Sequence, residues 1–247
     1  MRTGAIRLFR FAGITVFLHF SWFIIAALEV MSLARRYESP IWGALEYLAL
    51  FAIVLLHEFG HALACRQVGG VADHIILWPL GGIAFVNPPP RPGAYLWSIA
   101  AGPLVNVALI PIIGLAFNVI AQTQNFLAPT DAYRFVMAVR WMNYLLLIFN
   151  LLPIFPLDGG QIVRALLWFL VGPIRSLQVA SVLGLIGAGL LGLAALLWQS
   201  IWGVVLAFFL LSRAAYGWQQ AKAMVVAAEH RVAASPSPSI PVREPSR

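Results

Sequence analysis

Charge is what this chain has least of. Only 10% of its 247 residues are charged, where soluble domains carry about a quarter, and that shortage excludes an ordinary water-soluble globule. Lysine is reduced to Lys222, set against fifteen arginines. Those arginines stand singly at the ends of apolar blocks, so the net charge of +7 does not form the clustered basic face of a nucleic-acid binder. It suits topology signals and anionic headgroups instead. Cysteine is down to Cys65 alone, which leaves no internal disulfide and no thiolate cluster for zinc or iron–sulfur. Carboxylates number nine, few enough to weigh one by one.

What fills the space is hydrophobicity: 61% apolar residues and a mean hydropathy of +0.86. It comes in blocks of roughly 20 residues, the length of a membrane-spanning helix. Residues 1–13 mix Arg2, Arg7 and Arg10 with Ile6, Leu8 and Phe9, and read as an interfacial lead-in. Spans are expected at about 14–34, 41–66 and 95–121. A fourth block starts near 132, breaks at Pro153 and Pro156 and resumes past Asp158, and two more spans follow at about 176–197 and 201–220. The first run is too long for a signal-peptide core and lacks a small-residue cleavage site, so it reads as a retained span. Between spans, VADHIILWPLGGIAFV at 71–86 is too short to cross and reads as two extended pieces turning at Gly81-Gly82. The Pro/Ser-rich end of the chain places 221–247 as a cytoplasmic disordered tail. The expected class is an all-α polytopic membrane protein of about six helices with a short membrane-associated β-hairpin. Arginine bias puts both termini in the cytoplasm, Arg35 and Arg36 dissenting.

One stretch breaks the apolar pattern. LLHEFGHALA at 55–64 puts His57, Glu58 and His61 into a span. An ionisable group there costs about 2.5–3.5 kcal/mol on insertion scales, and three within five residues call for a shared partner such as a cation. Residues four apart lie on one helix face, so the two imidazoles can point at one spot with Glu58 one step round. That is the HExxH arrangement, in which two histidines hold Zn²⁺ and the glutamate is the general base. A catalytic zinc takes three protein ligands. Glu46 sits eleven residues before His57, about 16 Å along the helix, and Glu29 falls at the wrong depth. Glu38, Asp131, Glu229 and Glu244 lie in loops or tails, and Asp73 belongs with His74 to the linker after the motif. Asp158 remains, at the depth the broken block brings to the same side. His19 reads as a satisfied interior group, and Gly102, Asn106 and Asn143 as aids to helix approach and interhelical hydrogen bonding.

HEFGH at 57–61, AGPLVN at 101–106 and NLLPIFPLDGG at 150–160, in that order on separate spans, resemble the site-2 proteases, which are intramembrane zinc metalloproteases. The resemblance covers about 40–172, within an expected transmembrane metalloprotease domain at 14–220. It implies one zinc per chain on His57, His61 and Asp158, with Glu58 catalytic and Asn150 at a position that supports catalysis. It is nearest to a compact prokaryotic branch that includes sporulation-factor-processing enzymes, here without room for a PDZ insertion or a terminal CBS domain. The implied function is hydrolysis of peptide bonds in or near transmembrane segments of membrane-anchored proteins, in a prokaryotic cell membrane. The implied partners are the lipid bilayer and a substrate with a transmembrane helix, with no nucleic acid. The segment 75–86 would offer an edge strand to an unwound substrate. Two other readings stand beside it: a metal-binding membrane transporter, and an inactive relative that only binds transmembrane segments.

Overall fold

A computed structural model describes residues 4–23, 36–78, 81–122 and 129–234. Its elements are strands β1 (Ala5–Phe11) and β2 (Ile14–His19), helix α1 (Pro40–Gln67), strands β3 (Val71–Trp78) and β4 (Gly81–Asn87), then α2 (Pro92–Gln122), α3 (Asp131–Leu151), α4 (Asp158–Leu197) and α5 (Ile201–Ala234). The strands form one sheet in the order β1-β2-β3-β4, antiparallel at both outer pairs and parallel between β2 and β3. Four helices, α1, α2, α4 and α5, are long and apolar enough to cross a membrane. Their outward faces stay apolar, with Leu170, Leu197, Ile201 and Phe208 each more than 70% exposed, which is tolerable only against lipid tails. The chain is an integral membrane protein.

The sheet lies on α1. Ile14, Val16 and Leu18 of β2 and Ile75 and Leu77 of β3 join Val54, Phe59, Ala62 and Cys65 of α1 in one buried cluster. Period-two alternation explains it: Thr15 and Phe17 turn to the opposite face while their neighbours are buried. The first expected span is therefore corrected at its start. Residues 14–19 form a strand, and 24–35 lie outside the described residues. A short apolar run does not by itself distinguish strand from helix. The paired strands at 71–87 are present, but Gly81 and Gly82 lie within β4, opposite Trp78 and Leu77, rather than at the turn, and the pair is half of a four-stranded sheet.

The expected fourth and fifth spans are divided differently. The proline-bearing stretch after Leu151 ends α3, and α4 runs from Asp158 through a kink at Gly172 (φ 79°) and Pro173 to Leu197. Ile154 packs with Ala188 of α4 and Leu210 of α5, so the α4–α5 pair supports the segment leading to Asp158. The tail is also corrected: α5 continues to Ala234. Ala, Lys and Met are strong helix formers, and the Pro/Ser pattern begins only at residue 235, beyond the described residues.

Candidate metal centre

The helical period of α1 brings His57 and His61 onto one face, their Nε2 atoms 3.0 Å apart. From the start of α4, Asp158 Oδ2 comes within 3.1 Å of His57 Nε2 and 3.4 Å of His61 Nε2. All three side chains are buried. They can sit this close to α2 only because residue 102 is glycine: a Cβ there would lie 2.3 Å from His61 Nε2 and 2.9 Å from His57 Nε2.

Hydrogen bonds fix which atoms carry protons. Asn143 Nδ2 donates to the backbone carbonyl of Asn106 (3.0 Å), a group that can only accept. Asn143 Oδ1 must then be the acceptor for Asn106 Nδ2 at 2.8 Å. That turns Asn106 Oδ1 toward His57, whose Nδ1–H donates to it over 2.6 Å. His61 Nδ1–H donates to the carbonyl of Ser98, 2.9 Å away. Both imidazoles therefore carry a proton on Nδ1, so in the neutral ring it is Nε2 that presents a lone pair, and both Nε2 atoms point at each other and at Asp158.

Asp158 Oδ2 itself is buried without a hydrogen-bond partner. With both rings neutral, three electron pairs converge in a buried space and repel one another, an arrangement that costs several kcal/mol unless a cation stands between. Ligands about 2.1 Å from a tetrahedral zinc are separated by roughly 3.4 Å, close to the spacing here. His57, His61 and Asp158 form the one group of possible metal ligands found among the described residues.

Glu58 is buried beside this group and is held from the sheet. Its Oε2 accepts the Ala84 N–H of β4 at 2.8 Å. A Cβ on residue 82 would lie 2.2 Å from Glu58 Cγ, so the second residue of β4 must be glycine for the strand backbone to come this close.

Asn150 is half-buried in the last turn of α3 and, among the described residues, makes no side-chain hydrogen bond to the cluster. His19 is satisfied, as expected, by Ser21 Oγ and by stacking on Trp78. Cys65 packs in the sheet–helix core. Sequence reasoning missed the specific work of Asn106 and Asn143, which are fully enclosed and orient His57. A polar amide in an apolar span was the available signal, but not its partner. The Ser98 carbonyl has no sequence signature at all.

The sequence profile of peptidase family M50 matches residues 116–194. The zinc metalloprotease MJ0392 of Methanocaldococcus jannaschii is 34% identical over 180 residues, 73% of this chain and 50% of that protein. The chain spans about half the length of the curated relatives it matches. The solved site-2 protease from Methanocaldococcus jannaschii is 30% identical and superimposes with a TM-score of 0.59 over 87% of this chain and 95% of the other. With identity and fold agreeing along nearly all of that solved chain, the protein belongs to the site-2 protease family.

Proposed function

We propose that the chain is an intramembrane zinc metalloendopeptidase that cuts peptide bonds in or near the transmembrane segments of membrane-anchored proteins. The observation that carries this reading is the convergence of His57 Nε2, His61 Nε2 and Asp158 Oδ2 in a buried space with the Glu58 carboxylate alongside. His57, His61 and Asp158 would hold the ion. Zinc bound there supplies Lewis acidity to a peptide carbonyl and acidity to water.

The remaining steps belong to the chain. The Ala84 N–H engages Oε2 of Glu58, leaving Oε1 to take a proton from the attacking water and return it to the leaving amine. Asn106 and the Ser98 carbonyl keep both imidazoles in the tautomer that presents Nε2. Asn150, whose amide no group among the described residues engages, would bond the substrate backbone or the developing oxyanion. Because β4 ends the sheet, an unwound stretch of substrate could add to its outer edge as a further strand, with Ala84 beside Glu58 bringing the scissile carbonyl to the ion.

The cytoplasmic placement of both termini rests on the arginine bias along the whole chain, in which Arg66 and Arg91 mark the end of α1 nearest the two histidines. Water would then enter from the cytosol by a short path. The test compares the wild type with Glu58→Gln, measuring zinc content and cleavage of single-span membrane proteins. Zinc is expected to stay and cleavage to disappear. A mutant that cleaves normally would overturn the assignment of the base.

A further inference from the structure

Strand β1 is two-sided, and neither side takes part in the metal centre. The register pairs Arg7 with Phe17, Arg10 with Thr15, and Thr15 in turn with His74. These side chains share the sheet face turned away from α1. With Gly13 and Asp73 they line an open recess of about 510 Å³. On the other side, Ile6, Phe9 and Phe11 are 52%, 41% and 62% exposed, extending past the edge of the buried core, and Phe11 meets the ring of Phe59 at 5.8 Å.

The recess has a defined height. Arg66, in the last turn of α1, donates to the carbonyls of Ala12 and Gly13 and so ties the β1–β2 turn to the end of a membrane-length helix. Arg91 donates to Val68 O at the same end, 3.1 Å away. A helix of that length ends where headgroups begin. The Arg66 guanidinium also borders the recess, lying 3.1 Å from where a Gly13 side chain would start. Two guanidiniums, of Arg7 and Arg10, line the space with a third, of Arg66, beside its Gly13 edge, opposed by the single lining carboxylate of Asp73.

We propose that this recess binds the phosphate of an anionic phospholipid headgroup, with Arg7, Arg10 and Thr15 as its donors and the apolar side of β1 resting in hydrocarbon. Guanidinium suits phosphate because its planar fork presents paired donors. A free phosphate would gain nothing from Ile6, Phe9 and Phe11, whereas a lipid surface is polar and apolar at the same level, as this strand is. Occupancy would anchor the edge of the sheet whose far strand holds Glu58.

The test uses the full chain in a neutral detergent, titrated with short-chain phosphatidylglycerol, with phosphatidylcholine of the same chain length, and with inorganic phosphate as competitor. Phosphatidylglycerol is expected to bind about tenfold more tightly than phosphatidylcholine. R7Q/R10Q should remove most of that preference while zinc content stays at the wild-type level, which reports an intact fold. Asp73→Asn, which deletes the opposing charge, should tighten phosphatidylglycerol two- to threefold, and it tests the site even if the double variant does not fold. Equal binding of the two lipids, an unchanged R7Q/R10Q, or an Asp73→Asn variant that binds no more tightly each overturns the proposal. So does full displacement of phosphatidylglycerol by an equal concentration of inorganic phosphate, which would make the site a free-anion site.

Discussion

Two of the buried carboxylates at helix α1, Glu46 and Asp158, differ in one respect. Glu46, near its start, is 2% exposed, and both its oxygens are engaged, Oε1 by Arg36 at 3.2 Å and Oε2 by the Tyr37 hydroxyl. Asp158, at the other end, is 8% exposed, and its Oδ2 has no hydrogen-bond partner and faces Nε2 of two imidazoles. Burial is nearly the same, while hydrogen-bond satisfaction is opposite. The lesson is that a buried charge in a membrane helix is not in itself a catalytic sign. A carboxylate closed off by its own donors clamps the loop before α1, whereas one left open among other acceptors waits for a cation.

The contrast can be broken most forcefully at its open end. Asp158→Asn should lower zinc affinity by at least about a hundredfold, since a neutral amide replaces the one anionic member of the proposed ligand set, and cleavage should vanish with it. Metal analysis of the purified variant reads this directly, and full zinc occupancy would show that Asp158 is not a ligand. Asn106→Ala sharpens the same end. It leaves the ligand set intact but frees the His57 ring, and losing such a partner costs about 10- to 100-fold in metal affinity or activity. A zinc titration tests it. An Asn106→Asp variant, which keeps the acceptor, should recover much of that loss.

The closed end should behave differently. Glu46→Gln should leave zinc content unchanged and cost about 1–3 kcal/mol of stability, read as a lowered thermal midpoint; lost zinc would erase the distinction between the two carboxylates. Tyr37 gives the smallest effect. Burial first, and then its bond to Glu46, push its hydroxyl well above the ordinary tyrosine range. A proton held more tightly in the folded state stabilises fully below the unfolded value near 10 and is lost as the pH rises beyond it. Tyr37→Phe should therefore flatten the decline of stability with alkaline pH without touching zinc, and an unaltered alkaline profile would show that this hydroxyl does not govern it.

Much of the centre could be read from one dimension. The four-residue spacing of His57 and His61 settles their shared face because helix geometry is local. With nine carboxylates in the chain, elimination reaches Asp158 unaided. Harder to read was anything that depends on a distant strand or helix. Residues 14–19 look like the start of a span because their apolar content is the same in either conformation; pairing with β3, across the whole of α1, makes them a strand. Asn106 could be recognised as a polar residue in an apolar helix, but its value to His57 depends on Asn143 from α3 locking its amide.

What the amino-acid order determined by itself is the membrane setting, the extents of α1 and α2 and the identity of the chemical groups, because these follow from local hydropathy, helical period and side-chain type. Only the tertiary structure decided which nitrogen of each imidazole is free, how near Gly102 lets α2 approach, and that β4 reaches Glu58. Those are outcomes of long-range contact, where a difference of an ångström separates a ligand from a neighbour.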